Sequence, residues 1–140
     1  SSVRVKLNVL KDAVKGKRVI MIDDSIVRGT TSDRIVSMLK EAGAKEVHVR
    51  ISSPEFLHPC YFGTDIPSED QLIAHNRTVD EICEILGADS LAYLKMDRLK
   101  ELSDGKQYCD GCFSGQYPIE PPEEDIRGEH DATVRDNKKK

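Results

Sequence analysis

Residues 19–31 read Val19-Ile20-Met21-Ile22-Asp23-Asp24-Ser25-Ile26-Val27-Arg28-Gly29-Thr30-Thr31. An apolar run rich in β-branched residues stops at two adjacent carboxylates. It passes through a short loop of small and polar residues and enters a helical pattern. Gly16 bounds the run upstream, and Val19 to Ile22 suits a strand covered on both faces, as in a parallel sheet. Downstream, Thr30 or Thr31 can cap a helix whose positive end is favoured by Asp33. Ile35, Val36, Leu39 and Ala42 form an apolar stripe at helical spacing, and Gly43 is placed to end that helix in a left-handed conformation. Val47, Val49 and Ile51 then alternate as a second strand. Strand, helix and strand at this spacing imply a right-handed crossover and a parallel pair. The loop after Asp24 therefore belongs at the carboxyl edge of the sheet, where α/β proteins bind ligands.

The chemistry of the loop follows from its residue types. Unpaired N–H groups at a helix start, aligned with the helix dipole, suit a phosphate. Ser25, Thr30 and Thr31 add hydroxyl donors, and Gly29 permits positive φ and close backbone approach. Asp23 and Asp24 are poor phosphate ligands but suit ribose hydroxyls, directly or through Mg²⁺, a hard cation that takes oxygen ligands. Arg28 either reaches a phosphate or lies on the surface. Asp-Asp before a capped helix is common and says little by itself. The complete run, with strand before and helix after, points to a sugar-phosphate site. No Walker-type Gly-x-x-x-x-Gly-Lys occurs, so nucleotide hydrolysis is not suggested.

Outward from this unit, Val3, Val5 and Leu7 alternate with Arg4 and Lys6 as a half-buried strand. Residues 52–67 read as loop, with Pro54, Pro59, Gly63 and Pro67, and Glu69 to Ala74 as a short helix. Thr78 with Glu81 makes a capping box, Val79, Ile82, Cys83 and Leu86 face one side, and Gly87 ends that helix. Ser90 to Leu94 reads as a strand and Met96 to Leu102 as a short helix. Residues 105–118 are a loop carrying Cys109-Asp110-Gly111-Cys112. From Glu120 the chain is polar with clustered charge and no periodicity, which predicts disorder.

The 140 residues fit one domain with a real core, although hydrophobic residues make up 38% and the mean hydropathy is −0.49. That balance suits a polar tail and a piece of a larger protein. A net charge of −4 gives no reason to expect nucleic acid as partner, and no apolar stretch reaches the roughly 20 residues of a membrane helix. Without a signal-peptide pattern the expected location is cytoplasmic. In that compartment a Cys-x-x-Cys pair is more often metal-binding or redox-active than disulfide-bonded. The four cysteines are Cys60, Cys83, Cys109 and Cys112. Cys60, Cys109 and Cys112 lie in loops and suggest an iron–sulfur cluster or a zinc site, the latter with His58 as a rival ligand. Cys83, on an apolar helix stripe, reads as a buried thiol.

Several segments in one order carry a family resemblance: Arg4-Val5-Lys6-Leu7-Asn8, Gly16-Lys17-Arg18-Val19, the 23–31 loop, Ser52-Ser53-Pro54 and His58-Pro59-Cys60-Tyr61. Leu72-Ile73-Ala74, Gly87-Ala88-Asp89 and residues 112–118, Cys-Phe-Ser-Gly-Gln-Tyr-Pro, follow. The 23–31 loop resembles the phosphoribosyl pyrophosphate (PRPP) loop of type I phosphoribosyltransferases. The whole series, from about Val3 to Pro118, resembles the C-terminal part of the amidophosphoribosyltransferases, in their cluster-bearing group.

The resemblance implies an α/β chain with part of a type I phosphoribosyltransferase fold, a mostly parallel sheet flanked by helices and a cysteine-bearing C-terminal loop region. Residues 1–118 would be the C-terminal part of the transferase domain and 119–140 a polar, disordered tail. The implied parent reaction converts PRPP, glutamine and water to 5-phosphoribosylamine, glutamate and pyrophosphate, the first committed step of purine synthesis. Glutamine-derived ammonia is the nucleophile, and the parent is expected to be a homo-oligomer. Asp23 and Asp24 would take the family's Mg²⁺ and ribose contacts. Ser25, Ile26, Val27, Arg28, Gly29, Thr30 and Thr31 would form its 5′-phosphate loop. Cys60, Cys109 and Cys112 would match three ligands of a 4Fe–4S cluster that ties loops together, with the fourth ligand upstream of residue 1.

The departures are large. The glutaminase domain and the first part of the transferase domain are expected to be missing, so this polypeptide alone is expected not to make phosphoribosylamine. A PRPP-sensing regulatory module and a structural metal-binding domain without catalysis are the alternatives. No general base is identifiable.

Overall fold

The computed structural model describes residues 9–64 and 68–121. The strand expected around Val3 to Leu7 lies outside them, as does most of the expected tail. Strand β1 (Arg18–Asp23), helix α2 (Thr30–Glu41) and strand β2 (Glu46–Ile51) form the expected crossover. A short helix α1 (Lys11–Val14), which the sequence reading leaves out, precedes them. Helix α3 (Val79–Leu86) then leads to β3 (Ser90–Tyr93), followed by α4 (Met96–Leu102) and a helical turn α5 (Gly111–Ser114). The three strands are parallel in the order β1-β2-β3. Ile51 lies level with Asp23 on one side and Tyr93 on the other, so the strands end together at one edge.

Burial follows the alternation of β2, where Val47, Val49 and Ile51 are buried with Met21 of β1. Val36 of α2 and Ile82 and Leu86 of α3 close the same core. Thr78 and Glu81 form the capping box reciprocally, and Gly87 ends α3 at φ 65°. This box satisfies two helix-end donors and fixes where α3 begins. Asp89, just before β3, accepts the Val47 N–H at 2.7 Å, and that bond holds its carboxyl below the usual carboxylate range.

The expectation that the Val19 to Ile22 strand is covered on both faces is not met among the described residues. Ile20 is 66% and Ile22 76% exposed. They share their face with His48, Arg50, Ser90 and Ala92 of the neighbouring strands, and no described helix covers it. Three local expectations also change. Gly29, not Thr30 or Thr31, occupies the N-cap of α2, without a side-chain capping bond. The segment after Ser68 makes a single 3₁₀ turn, Glu69–Gln71, rather than a helix to Ala74. The cysteine loop contains the turn α5, which the glycine-containing pattern conceals.

Candidate phosphoribosyl loop and cysteine centre

The sheet's carboxyl edge carries the acidic pair. Asp23 ends β1, and its carbonyl accepts the Ser52 N–H at 2.9 Å and the Ser52 hydroxyl at 3.3 Å. Its carboxylate Oδ1 accepts the Asp24 N–H at 2.9 Å. Asp24 Oδ1 in turn accepts the Ser25 hydroxyl at 2.8 Å. Each acid thus spends one oxygen on fixing the turn, and its Oδ2 has no partner among the described residues. Asp24 is exposed and Asp23 half-buried. Two adjacent hard oxygens without a described partner fit hydroxyl groups or a divalent cation.

Not every residue of the loop can offer its side chain to a ligand. Ile26 is 2% exposed and belongs to the main core, whereas Val27 packs on a second core formed by Phe56 and Leu72. These two side chains anchor the loop between two apolar clusters. Gly29 has φ 80°, and a Cβ there would collide with Ile73 Cδ1. Left-handed geometry and lack of space both demand glycine. Its carbonyl accepts the Asp33 N–H at 2.9 Å as the first turn of α2 forms. The N–H groups of the preceding positions stand at the positive end of α2 beside the exposed Thr30 and Thr31. The structure therefore brings Asp23, Asp24, Ser25, Arg28, Gly29, Thr30 and Thr31 to one rim.

Two supports of this loop escape sequence reading. The Ile73 N–H donates to the Val27 carbonyl at 2.8 Å, and Arg28 Nε donates to Gln71 Oε1 at 3.0 Å. Both partners lie more than 40 positions away along the chain. A periodic pattern carries no signal for such contacts.

The second feature is built around Cys60 and Cys112, which pack beside Phe56, Leu72 and Phe113. The Cys112 carbonyl accepts the N–H groups of Leu57 and His58, both at 3.0 Å. Tyr117 donates its hydroxyl to the Pro59 carbonyl at 2.7 Å, and its ring fills the space where a Cβ on Gly111 would stand. Gly111 thus suits the Cys-x-x-Cys turn because only hydrogen fits beneath that ring. Burial pushes the Cys112 thiol up to about 11, with the neighbouring Cys60 and Cys109 sulfurs adding to the effect.

Cys60 differs. Burial alone would raise its thiol, but hydrogen bonding from Phe62, Thr64 and Gly63 outweighs this and lowers it to about 7. The Thr64 N–H reaches Sγ at 3.3 Å. Cys83 donates to the Ala88 carbonyl at 3.3 Å, and burial raises its thiol. In the metal-free chain, iodoacetamide is therefore expected to label Cys60 half-maximally near pH 7 and to leave Cys112 and Cys83 slow. Mass spectrometry of the labelled peptides checks this order, and equal rates at pH 7 would contradict it.

A thiolate-bound group requires sulfurs that can be deprotonated together. Cys60 and Cys112 pack on the same apolar cluster, Cys60 with backbone donors at its sulfur, and Cys109 is exposed but within electrostatic reach of Cys112. The three residues are of the right chemical type for such a group, but in the metal-free chain burial opposes the deprotonation of Cys112. No set of three or more His, Cys, Asp or Glu side chains is arranged around a single point among the described residues. The rival His58 turns Nδ1 toward Glu69 Oε1 at 3.4 Å, while its Nε2 lies against Gly115.

Comparison with known proteins now bears on the whole arrangement. No protein-family model matches the chain. A curated protein of Archaeoglobus fulgidus named amidophosphoribosyltransferase is 54% identical over 129 residues, which is 89% of this chain and 28% of that protein. Further curated proteins similar to this chain carry the same name. The soybean (Glycine max) enzyme, described as chloroplastic, is 53% identical over 86% of the chain and 22% of its own length. The solved structure of "the allosteric regulatory enzyme of purine biosynthesis" superposes with a TM-score of 0.75 and 48% identity, covering 84% of this chain and 26% of that one. The glutamine PRPP amidotransferase of B. subtilis, solved with ADP and GMP, gives a TM-score of 0.74 and 44% identity, over 89% and 30%. The parallel α/β fold is thus that of a segment of amidophosphoribosyltransferases. The chain spans about a quarter of the length of those it matches, from 22% to 30%. No helix of the described residues is long and apolar enough to cross a membrane.

Proposed function

We propose that this chain is the part of an amidophosphoribosyltransferase that holds the ribose and 5′-phosphate of PRPP. The observation that carries this reading is the rim at the carboxyl end of β1. It sets two carboxylates, each with one oxygen unpartnered among the described residues, beside a glycine-led helix start, within a segment 54% identical to a named relative. In the parent reaction Asp23 and Asp24 accept hydrogen bonds from the ribose hydroxyls or hold Mg²⁺, which when bound offsets the charge of the departing pyrophosphate. The amides of the loop and the Ser25, Thr30 and Thr31 hydroxyls donate to the 5′-phosphate, and Arg28 adds a cation. These contacts fix the ribose so that positive charge can develop at its anomeric carbon in a preorganised field.

Cys60, Cys109 and Cys112 are proposed as three thiolates toward a 4Fe–4S cluster. Such a cluster usually takes four cysteines, and the half-buried, carbonyl-bonded Cys83 is not a natural fourth. The remainder of the transferase domain, a glutaminase domain that supplies ammonia from glutamine, a homo-oligomeric parent and a cytoplasmic location belong to the same proposal. The proposal also treats residues 1–118 as transferase and 119–140 as tail.

Titration of the purified chain with PRPP and Mg²⁺, followed by two-dimensional NMR, tests the reading. Shifts confined to residues 23–33, tighter binding than ribose 5-phosphate shows, and at least about tenfold weaker binding in Asp24→Asn are expected. The same chain is expected to leave glutamine and PRPP unconsumed. Equal affinity for the two ligands, or an unaffected Asp24→Asn, would remove the basis for the loop assignment.

A further inference from the structure

We infer that Gln71 is a positioning residue that aims the guanidinium of Arg28 across the mouth of the 23–31 loop; the inference rests on the phosphate reading of that loop. Arg28 stands on the exposed rim, where a long side chain would ordinarily sample many rotamers. Its Nε–H instead donates to Gln71 Oε1 at 3.0 Å. Gln71 is itself held where it can receive that bond. It ends the 3₁₀ turn, and the next residue, Leu72, is 1% exposed in the core with Phe56. One residue further, the Ile73 N–H binds the Val27 carbonyl, directly beside Arg28. The backbone carrying Gln71 is therefore fixed to the loop that carries Arg28, and the side-chain bond closes the ring.

The chemistry of the fork gives the tie its consequence. Guanidinium binds an anionic oxygen pair through two parallel N–H groups, using either Nε with one Nη or both Nη groups. With Nε engaged by an amide oxygen, the Nε edge is taken and the two terminal Nη groups remain for an anion. Gln71 is neutral, so it orients the cation without the charge cancellation that a carboxylate at the same place would bring. The arrangement fits a phosphate approached end-on from the rim.

A double-mutant cycle on the 140-residue chain tests this, with ribose 5-phosphate as probe and affinity read by NMR titration. Gln71→Met keeps the length of the side chain and removes the acceptor. It is expected to weaken binding about threefold to tenfold when Arg28 is present, the range of one charge-assisted hydrogen bond. In an Arg28→Ala background the same change is expected to have no effect. The thermal midpoint should stay within a few degrees, because Gln71 is exposed. The Arg28 Nε–H resonance should also lose its protection from solvent in Gln71→Met. Equal weakening in both backgrounds, or none in either, overturns the positioning role while leaving the loop assignment intact. Failure of the unsubstituted chain to bind ribose 5-phosphate overturns both.

Discussion

Gly29→Val is expected to destabilise the chain by about 2–5 kcal/mol and to abolish binding of ribose 5-phosphate. Two independent penalties produce the range. A β-branched residue at φ 80° must enter left-handed space, at roughly 1–2 kcal/mol. Its Cβ must also displace Ile73 Cδ1, and over-packing of this kind adds roughly 1–3 kcal/mol. Ile73 cannot move freely, since its N–H is bonded to Val27 and its side chain belongs to the main core. The strain falls on the loop itself, so the helix start and the phosphate donors shift together. Urea denaturation and NMR titration read the two effects separately. Pairing Gly29→Ala with Ile73→Val should recover the part due to crowding and leave the part due to φ. A Gly29→Val chain that binds ribose 5-phosphate normally would show that the loop does not need its observed shape.

Ile82→Ala is expected to lower the thermal midpoint by on the order of 10–20 °C, from a cavity cost of roughly 2–5 kcal/mol. Ile82 is 0% exposed and sits with Leu86 on the face of α3 that closes the core against the sheet. Folded domains hold only about 5–15 kcal/mol in total, and among the described residues the sheet packs its main core on one face only. Calorimetry of the variant measures the shift. The contrasting change Ile85→Ala, on the same helix but 51% exposed, should move the midpoint by only a few degrees. Similar shifts for both would mean that α3 does not seal the core as described.

The legible parts of the fold were those set by local chemistry. The Thr78–Glu81 box marks the start of α3 by residue type, and Met96–Leu102 forms the helix its pattern implies. The alternation of Val47, Val49 and Ile51 specifies which face of β2 is buried. Val19 to Ile22 misled because apolar composition records what a strand is suited to have over it, whereas Ile20 and Ile22 are exposed among the described residues. The N-cap of α2 misled for another reason. Two threonines compete for it by propensity, but Ile73, far away in sequence, leaves room only for a glycine at the turn. Of the candidate site, the placement of the acids at the end of β1 and of the loop before α2 was readable from the strand–loop–helix pattern. The supports from Gln71, Ile73 and Ser52, and the amide-stabilised Cys60 on the same apolar cluster as a half-buried Cys112, arise only from tertiary placement.

The open side of β1 has a colloidal consequence. Among the described residues this strand has a ladder neighbour on one flank only, and a strand flank without a neighbour is the kind of edge an extended chain can pair with. Between Arg18 and Asp23 it presents an uncharged stretch free of proline, with strong β-propensity and two exposed isoleucines, the composition that favours intermolecular zippering. Arg18 and Asp23 act as gatekeepers at either end of that stretch, setting charges where a second copy would have to align in register. The carboxylate at the ligand rim therefore also helps to keep neighbouring copies from stacking edge to edge.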